Sequence, residues 1–124
     1  MWSPSPLSAD RILVIAPDPD LRRSVAFALE AEGHVVTSHA TLLGPDEGKA
    51  YDCVVLDHKA AKAVPREAVL DFCAHSPRIV LLAGAPQPWL IPKVFRVVQT
   101  PHLGAALSSA VQAALATKPA IAPA

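Results

Sequence analysis

The strongest constraint on the fold is the alternation of short, apolar, β-branched runs with segments of helical period. Five runs have the length and composition of β-strands, namely RILVIA (11–16), HVVTS (34–38), DCVVLD (52–57), RIVLLA (78–83) and FRVVQ (95–99). Their almost continuous apolar character is typical of strands that are buried on both faces. Strands that alternate with helices favour right-handed crossovers and a parallel sheet covered on both sides. The sequence therefore predicts an α/β fold with a doubly wound, five-stranded parallel sheet.

The first helix is predicted from its capping residues. Asp18 is a suitable N-cap, Pro19 suits the first helical position, and Gly33 suits the C-terminal cap. The side chains that share the predicted core face of this helix are Leu21, Val25, Ala28 and Leu29.

The other helical segments differ in strength. A short helix near 41–49 is weakened by two glycines and a proline, whereas 65–75 is a better helix with Val69, Leu70 and Phe72 as core candidates. The clearest remaining helix is 102–116, and its side chains expected to face the sheet are Leu103, Leu107, Val111 and Ala114. Three prolines in 84–93 predict that the fourth helix is irregular or stunted.

The chain length and its ends indicate a single domain. With 124 residues there is no room for a second independent core. We expect the domain to span 10–116, between flexible tails at 1–9 and 117–124, because both ends are rich in proline and lack periodicity.

Composition excludes several classes of partner. Eleven Lys and Arg balance eleven Asp and Glu, and the basic residues are scattered, so nucleic acid is not an expected partner. No apolar run is long enough for a signal peptide or a membrane span, so we expect a soluble, cytoplasmic protein without a membrane partner. Cys53 and Cys73 lack the spacing of a disulfide framework or zinc site and are interpreted as buried thiols.

In a doubly wound sheet the functional crevice lies beyond the carboxyl ends of the strands. The first of these loops is APDPD (16–20), which has no glycine, two prolines that remove amide donors and two carboxylates that repel phosphate. A dinucleotide or P-loop site is therefore disfavoured.

The order and spacing of four segments resemble a known family. RILVIAPDPDLRRSVAFALEAEGHVV, YDCVVLD, IVLLAGA and VVQTP follow one another as in response-regulator receiver domains, across residues 11–116. The resemblance implies the flavodoxin-like receiver fold. It also implies a phosphorylation pocket, in which two acidic residues after the first strand hold Mg²⁺ and the third strand ends in the phosphoacceptor aspartate. A Thr or Ser after the fourth strand and a Lys after the fifth complete that pocket.

Only one of the five pocket positions is retained here. Asp57 matches the phosphoacceptor, whereas the magnesium pair, the hydroxyl and the lysine are replaced by Ala16, Pro17, Ala83 and Thr100. Phosphoryl transfer depends on neutralising charge over the equatorial oxygens, which alanine and proline side chains cannot do. We therefore expect phosphotransfer to be largely lost, with no cofactor and no catalytic residue.

Three nearby residues are candidate surrogates in this pocket. Asp18 or Asp20 could help Asp57 to hold Mg²⁺, although helix capping and the helix dipole are their more ordinary roles. Lys59 could pair with Asp57, although a solvated loop lysine is the simpler interpretation. The five histidines have no ligand spacing, so no metal site is expected from them.

The protein could also function by binding other proteins through its surface. The helix 102–116 carries no charge after Leu103, and its outward stripe is Ala105, Ser109, Gln112 and Ala116. The irregular segment with Trp89, Leu90 and Ile91 is expected beside this helix, so the two together predict a surface for a second copy or another protein.

Three hypotheses follow for function. The first is a non-enzymatic pseudo-receiver that signals through protein contacts. The second is a phosphorylatable receiver of a two-component system that uses Asp57 with an improvised magnesium site. The third, a small-molecule-binding flavodoxin-like domain, is disfavoured by the APDPD loop.

Overall fold

The sheet has the predicted architecture. The computed structural model describes residues 9–76, 78–100 and 104–118. Its five strands are all parallel and lie in the order β2-β1-β3-β4-β5. They are β1 (Arg11–Ile15), β2 (Val35–His39), β3 (Cys53–Asp57), β4 (Ile79–Leu82) and β5 (Arg96–Val98). The doubly wound α/β fold predicted from the sequence is therefore confirmed.

Four α-helices in the described part of the chain cover the sheet, and the first has the predicted caps. They are α1 (Pro19–Ala31), α2 (His58–Lys62), α3 (Arg66–His75) and α4 (Gly104–Leu115). The Asp18 side chain caps α1 by accepting a hydrogen bond from the backbone N–H of Asp20. Gly33 follows α1 with φ +94°, a conformation that glycine adopts without a steric penalty.

Two predicted helices are reduced to single turns. The weak helix predicted near 41–49 is a 3₁₀ turn at Glu47–Ala50. The segment before β5 contains only a 3₁₀ turn at Ile91–Lys93, which confirms the prediction of an irregular fourth helix. Both outcomes have the same cause, because proline and glycine interrupt each segment before an α-helical turn can be propagated.

Helix α2 was not predicted. It begins directly after β3 and buries Ala60 and Ala61. A proline disfavours the α conformation of the residue before it, so Pro65 separates this short helix from α3.

The core forms two layers, one on each face of the sheet. One contains Phe72 and Val69 of α3 with Leu90, and the other contains residues of α1 and α4. The buried α4 residues include Leu107, Val111 and Ala114, as predicted, whereas Leu103 lies outside the described residues.

Two core assignments need correction. Ala28 is exposed rather than buried, because the buried stripe of α1 follows Val25 and Leu29. Leu70 is only half-buried, since Val69 and Phe72 occupy the face of α3 that meets the sheet.

Lys118 ties the end of the described chain to the amino-terminal edge of the sheet. Its ammonium group donates to the carboxylate of Asp10 and lies 3.5 Å from Oδ1 of Asp52. The hydrogen bond to Asp10 raises the pKa of Lys118. This residue, placed in the C-terminal tail by the sequence analysis, therefore contacts the domain.

Both cysteines are free and buried. Burial raises the pKa of Cys53 to about 12 and that of Cys73 to about 11. The thiols therefore remain protonated at neutral pH and are poor nucleophiles. Within the described residues, no helix combines the length and the apolar character needed to cross a membrane.

Candidate functional site

The candidate site lies at the carboxyl ends of the central strands. Ile15 of β1 pairs with Leu56 of β3, and Asp57 pairs with Leu82 of β4. Ala16 therefore lies one residue beyond the Ile15–Leu56 pair, beside Asp57. The parallel register brings together the strand ends that the sequence analysis assigned to the crevice.

Asp57 is a buried carboxylate that is only partly satisfied. It is 3% exposed, and its Oδ2 atom is buried and has no hydrogen-bond partner among the residues that the structure describes. Its Oδ1 atom lies 3.4 Å from Nδ1 of His58, and the same nitrogen lies 3.3 Å from the carbonyl oxygen of Leu82. Burying a polar atom without a partner is costly, and such atoms in proteins are often linked to function.

Arg22 supplies a positive charge at the end of β1. Its Nη1 atom donates to the carbonyl oxygens of Ala16 at 2.8 Å and of Pro17 at 3.2 Å. The guanidinium therefore lies at the strand end where a receiver pocket has its two acidic residues. The sequence does not indicate this role, because Arg22 is one of several basic residues scattered along the chain.

These side chains do not fit a magnesium ion. Mg²⁺ is usually held by one or two carboxylates together with waters and phosphate oxygens. The end of β1 offers only the methyl group of Ala16 and the ring of Pro17, with a guanidinium beside them. Within the described ranges, no group of three or more His, Cys, Asp or Glu side chains could hold a metal ion.

The three candidate surrogates are engaged elsewhere or face solvent. Asp18 is the N-cap of α1, and Asp20 lies in the first turn, 3.9 Å from Arg23. Lys59 is exposed on α2. Among the described ion pairs, the only partner of Asp57 is His58.

The remaining two pocket positions lie at the ends of β4 and β5. Ala83 is fully buried, and its backbone N–H donates to the carbonyl oxygen of Val98. Thr100 is half-buried and lies beside Gly84, since a Cβ added to Gly84 would be 3.7 Å from its Oγ1. Thr100 therefore places a side-chain hydroxyl near Gly84, beyond the carboxyl ends of β4 and β5.

The histidines are less isolated from acids than the sequence indicated. His39, at the end of β2, has its Nε2 atom 3.1 Å from Oε1 of Glu47. His34 lies 3.9 Å from Glu32, and His75 contacts the backbone carbonyl of Asp71 on α3. His102 lies outside the described residues. Each of the four described histidines therefore has a local partner.

The predicted interaction surface is only partly correct. The α4 stripe is exposed, and its members are Ala105, Ser109, Gln112 and Ala116. Leu90, however, is 2% exposed and belongs to the core, so assigning it to the surface was wrong. Trp89 is half-buried against the layer that contains α3, whereas α4 lies in the other layer. The stripe and Trp89 therefore lie on opposite sides of the sheet, and of the three apolar residues only Ile91 is exposed.

Comparison of the sequence with known proteins gives one curated relative and no family model. No family model matches the chain. The chain is 29% identical over 102 residues to the transcriptional regulator protein FixT of Rhizobium meliloti. The aligned region covers 82% of this chain and 89% of FixT.

Solved structures match the fold over most of the chain. The signal receiver domain of a putative Luxo repressor protein from Vibrio parahaemolyticus has a TM-score of 0.70 at 19% identity, covering 87% of this chain and 91% of that one. A response regulator receiver domain protein from Clostridium thermocellum has a TM-score of 0.69 at 19% identity, covering 86% and 94%. Sheet order, crossovers and these similarities together make this chain a receiver-like domain, with the fold of the response-regulator receivers.

Proposed function

We propose that this receiver-like domain is a signalling module of a two-component system, that it acts through protein contacts, and that regulated phosphotransfer is largely lost. The observation that carries the proposal is the Arg22 guanidinium, which donates to the backbone at the end of β1. A cation that belongs to the chain itself therefore lies at the strand end where a phosphorylation pocket has the carboxylates that recruit Mg²⁺. This positive charge is part of the folded chain, so it is present without a bound metal ion or a phosphoryl group.

The chemistry of phosphoryl transfer supports the same conclusion. Charge that develops on the phosphoryl oxygens must be neutralised by a metal ion and by fixed donors. Losing one such donor typically costs about 10²–10³ in rate, and such losses are not simply additive. Ala16, Pro17 and Ala83 offer no side-chain ligand or donor, so little acceleration is expected.

A second candidate function is favoured by the state of Asp57. Its carboxylate lies at the end of the central strand β3, and Oδ2 has no partner within the described residues. A phosphorylatable receiver would use this oxygen as the nucleophile. Any Mg²⁺ would then need Asp18 or Asp20 to leave its position on α1.

The name of the curated relative suggests the type of pathway. FixT is described as a transcriptional regulator. Since the basic residues of this chain are scattered and its formal net charge is zero, we propose that any effect on transcription passes through a protein partner and not through DNA contact.

Exposure to a phosphodonor tests the proposal. With acetyl phosphate and Mg²⁺, intact-mass spectrometry is expected to show no phosphorylated species, because the pocket lacks side chains that bind the cation. Asp57→Asn is the control, because any phosphorylation that remains in this variant is on other residues. Stoichiometric phosphorylation that is lost in Asp57→Asn would overturn the first function and support the second.

Self-association through the α4 stripe is a separate prediction. Ala105→Glu with Ser109→Glu would place two carboxylates on this stripe without touching the buried Leu107 and Val111. Association is expected to weaken several-fold in sedimentation experiments, because like charges would meet at the interface.

A matched control places the same charges on α1, a different helix in the same layer as α4. Ala28→Glu with Ala31→Glu alters two exposed alanines of α1 and should leave association unchanged. A monomeric wild type at high micromolar concentration would contradict the prediction, and so would equal weakening in both double variants.

A further inference from the structure

A groove with a positive and aromatic lining lies between α2, α3 and the segment before β5. We call it the cationic groove, and it is lined by Ala61, Lys62, Val64, Arg66, Gln87 and Trp89. It has a volume of about 220 Å³. None of the described residues that line it is acidic, and it is distinct from the site around Asp57.

Arg66 is oriented by an aromatic ring. Its guanidinium lies over the Trp89 ring, 4.6 Å from the ring centroid. Trp89 is itself held by packing against the core layer of α3. Stacking of this kind restrains the planar guanidinium while leaving its N–H edge free to form hydrogen bonds. The contact with Trp89 therefore restricts the positions of the guanidinium donors.

Within the described parts of the chain, the charges of the groove are not paired with acidic side chains. Lys62 and Arg66 are both exposed, and neither has an ion-pair partner among the described residues. Some other surface cations have such a partner, whereas the exposed Lys59, Lys93 and Arg96 also have none among the described residues. Arg23 lies near Asp20, and Lys49 lies near Asp46. The cationic groove thus has two unneutralised cations beside a half-buried tryptophan.

We propose that the cationic groove binds carboxylate side chains of an acidic segment of a partner protein. A guanidinium that lies over an indole can donate two parallel hydrogen bonds to one carboxylate, and Lys62 adds a second charge. Tryptophan and arginine are the residues that most often dominate binding energy at protein interfaces. This assignment does not depend on whether Asp57 accepts a phosphoryl group.

Charge complementarity favours a protein segment over a nucleic acid. Binding along a phosphate backbone relies on several cations that neutralise successive phosphates. The groove supplies two, and the whole chain has a formal net charge of zero. Two cations and an aromatic floor match a short acidic motif instead.

The test uses a fluorescein-labelled peptide of alternating glutamate and glycine with the complete chain. Fluorescence anisotropy measures its affinity, and NMR follows the indole N–H of Trp89 and Nε–H of Arg66. Since the chain contains two tryptophans, Trp89→Phe assigns the indole signal. We expect saturable binding that shifts both signals and weakens as salt is added.

Three variants separate the groove from net charge. Arg66→Glu is expected to weaken binding at least tenfold, and Arg66→Lys several-fold, because lysine keeps the charge but lacks the planar fork. Arg23→Glu makes the same change of charge on α1 and should alter affinity less than twofold. Circular dichroism checks that each variant is folded.

Three outcomes would overturn the proposal. One is equal loss of affinity in Arg66→Glu and Arg23→Glu, and another is peptide binding that leaves the Trp89 indole signal unmoved. The third is tighter binding of a single-stranded oligonucleotide, with the same loss in Arg66→Glu, which would assign the groove to nucleic acid.

Discussion

Gly48→Ala is expected to lower the free energy of unfolding by about 2 kcal/mol or more, because the new methyl group has no space. A Cβ at this position would lie 1.8 Å from Oγ and 2.8 Å from Cβ of Ser76, and 3.3 Å from Cζ of Phe72. Ser76 and Phe72 are buried, so neither side chain can turn into solvent. Urea denaturation followed by circular dichroism measures the change.

Two further variants make this prediction specific. Gly44→Ala is the matched control in the same connection, since a Cβ there meets nothing within 4 Å, and its stability should change by less than about 0.5 kcal/mol. Combining Gly48→Ala with Ser76→Gly removes both close contacts to Ser76 and should recover much of the loss. A Gly48→Ala protein as stable as the Gly44→Ala protein would contradict the observed packing of the 3₁₀ turn against α3.

The second large effect concerns the pocket. Ala16→Asp with Pro17→Asp is expected to produce only weak Mg²⁺ binding, because the nearby Arg22 guanidinium would pair with the new carboxylates. Adding Arg22→Ala removes this competitor and should increase Mg²⁺ affinity at least tenfold. The triple variant should also be less stable without the ion, because two new carboxylates would then lie close to that of Asp57. Isothermal titration calorimetry measures the binding.

Arg23→Ala is the control for this experiment. It removes the same charge from the next residue, whose side chain lies towards Asp20 and not towards the end of β1. The double variant with Arg23→Ala should therefore bind Mg²⁺ no better than the double variant alone. Equal gains from both arginine changes would indicate a general charge effect and would contradict the role assigned to Arg22.

The candidate site was only partly predictable. Asp57, Ala16 and Ala83 could be placed because each follows an apolar run whose end is readable in the sequence. Arg22 and His58 could not be given their roles in the same way. Arg22 contacts the carbonyl oxygens of Ala16 and Pro17 only because α1 folds back along β1, and Nδ1 of His58 meets the carbonyl of Leu82 on a neighbouring strand.

The surface prediction failed for a similar reason. Both α4 and the segment with Trp89 are apolar, but the sequence does not show on which face of the sheet each one packs. Leu90 belongs to the same core layer as Phe72. The segment before β5 forms only a single 3₁₀ turn, so it has few helical residues that could cover this face of the sheet, and Leu90 packs there. Trp89 then stacks under Arg66, and the aromatic contact belongs to the cationic groove instead of the α4 stripe.

By itself, the sequence determined the class of fold, the parallel sheet, the caps of α1 and the absence of side-chain metal ligands at Ala16, Pro17 and Ala83. These properties depend on local residue chemistry and on periodicity, which are visible along the chain. Only the tertiary structure decided which charges meet. The environment of Asp57, the position of the Arg22 guanidinium and the stacking of Arg66 on Trp89 each join residues from different elements, and their distances depend on how the strands and helices pack.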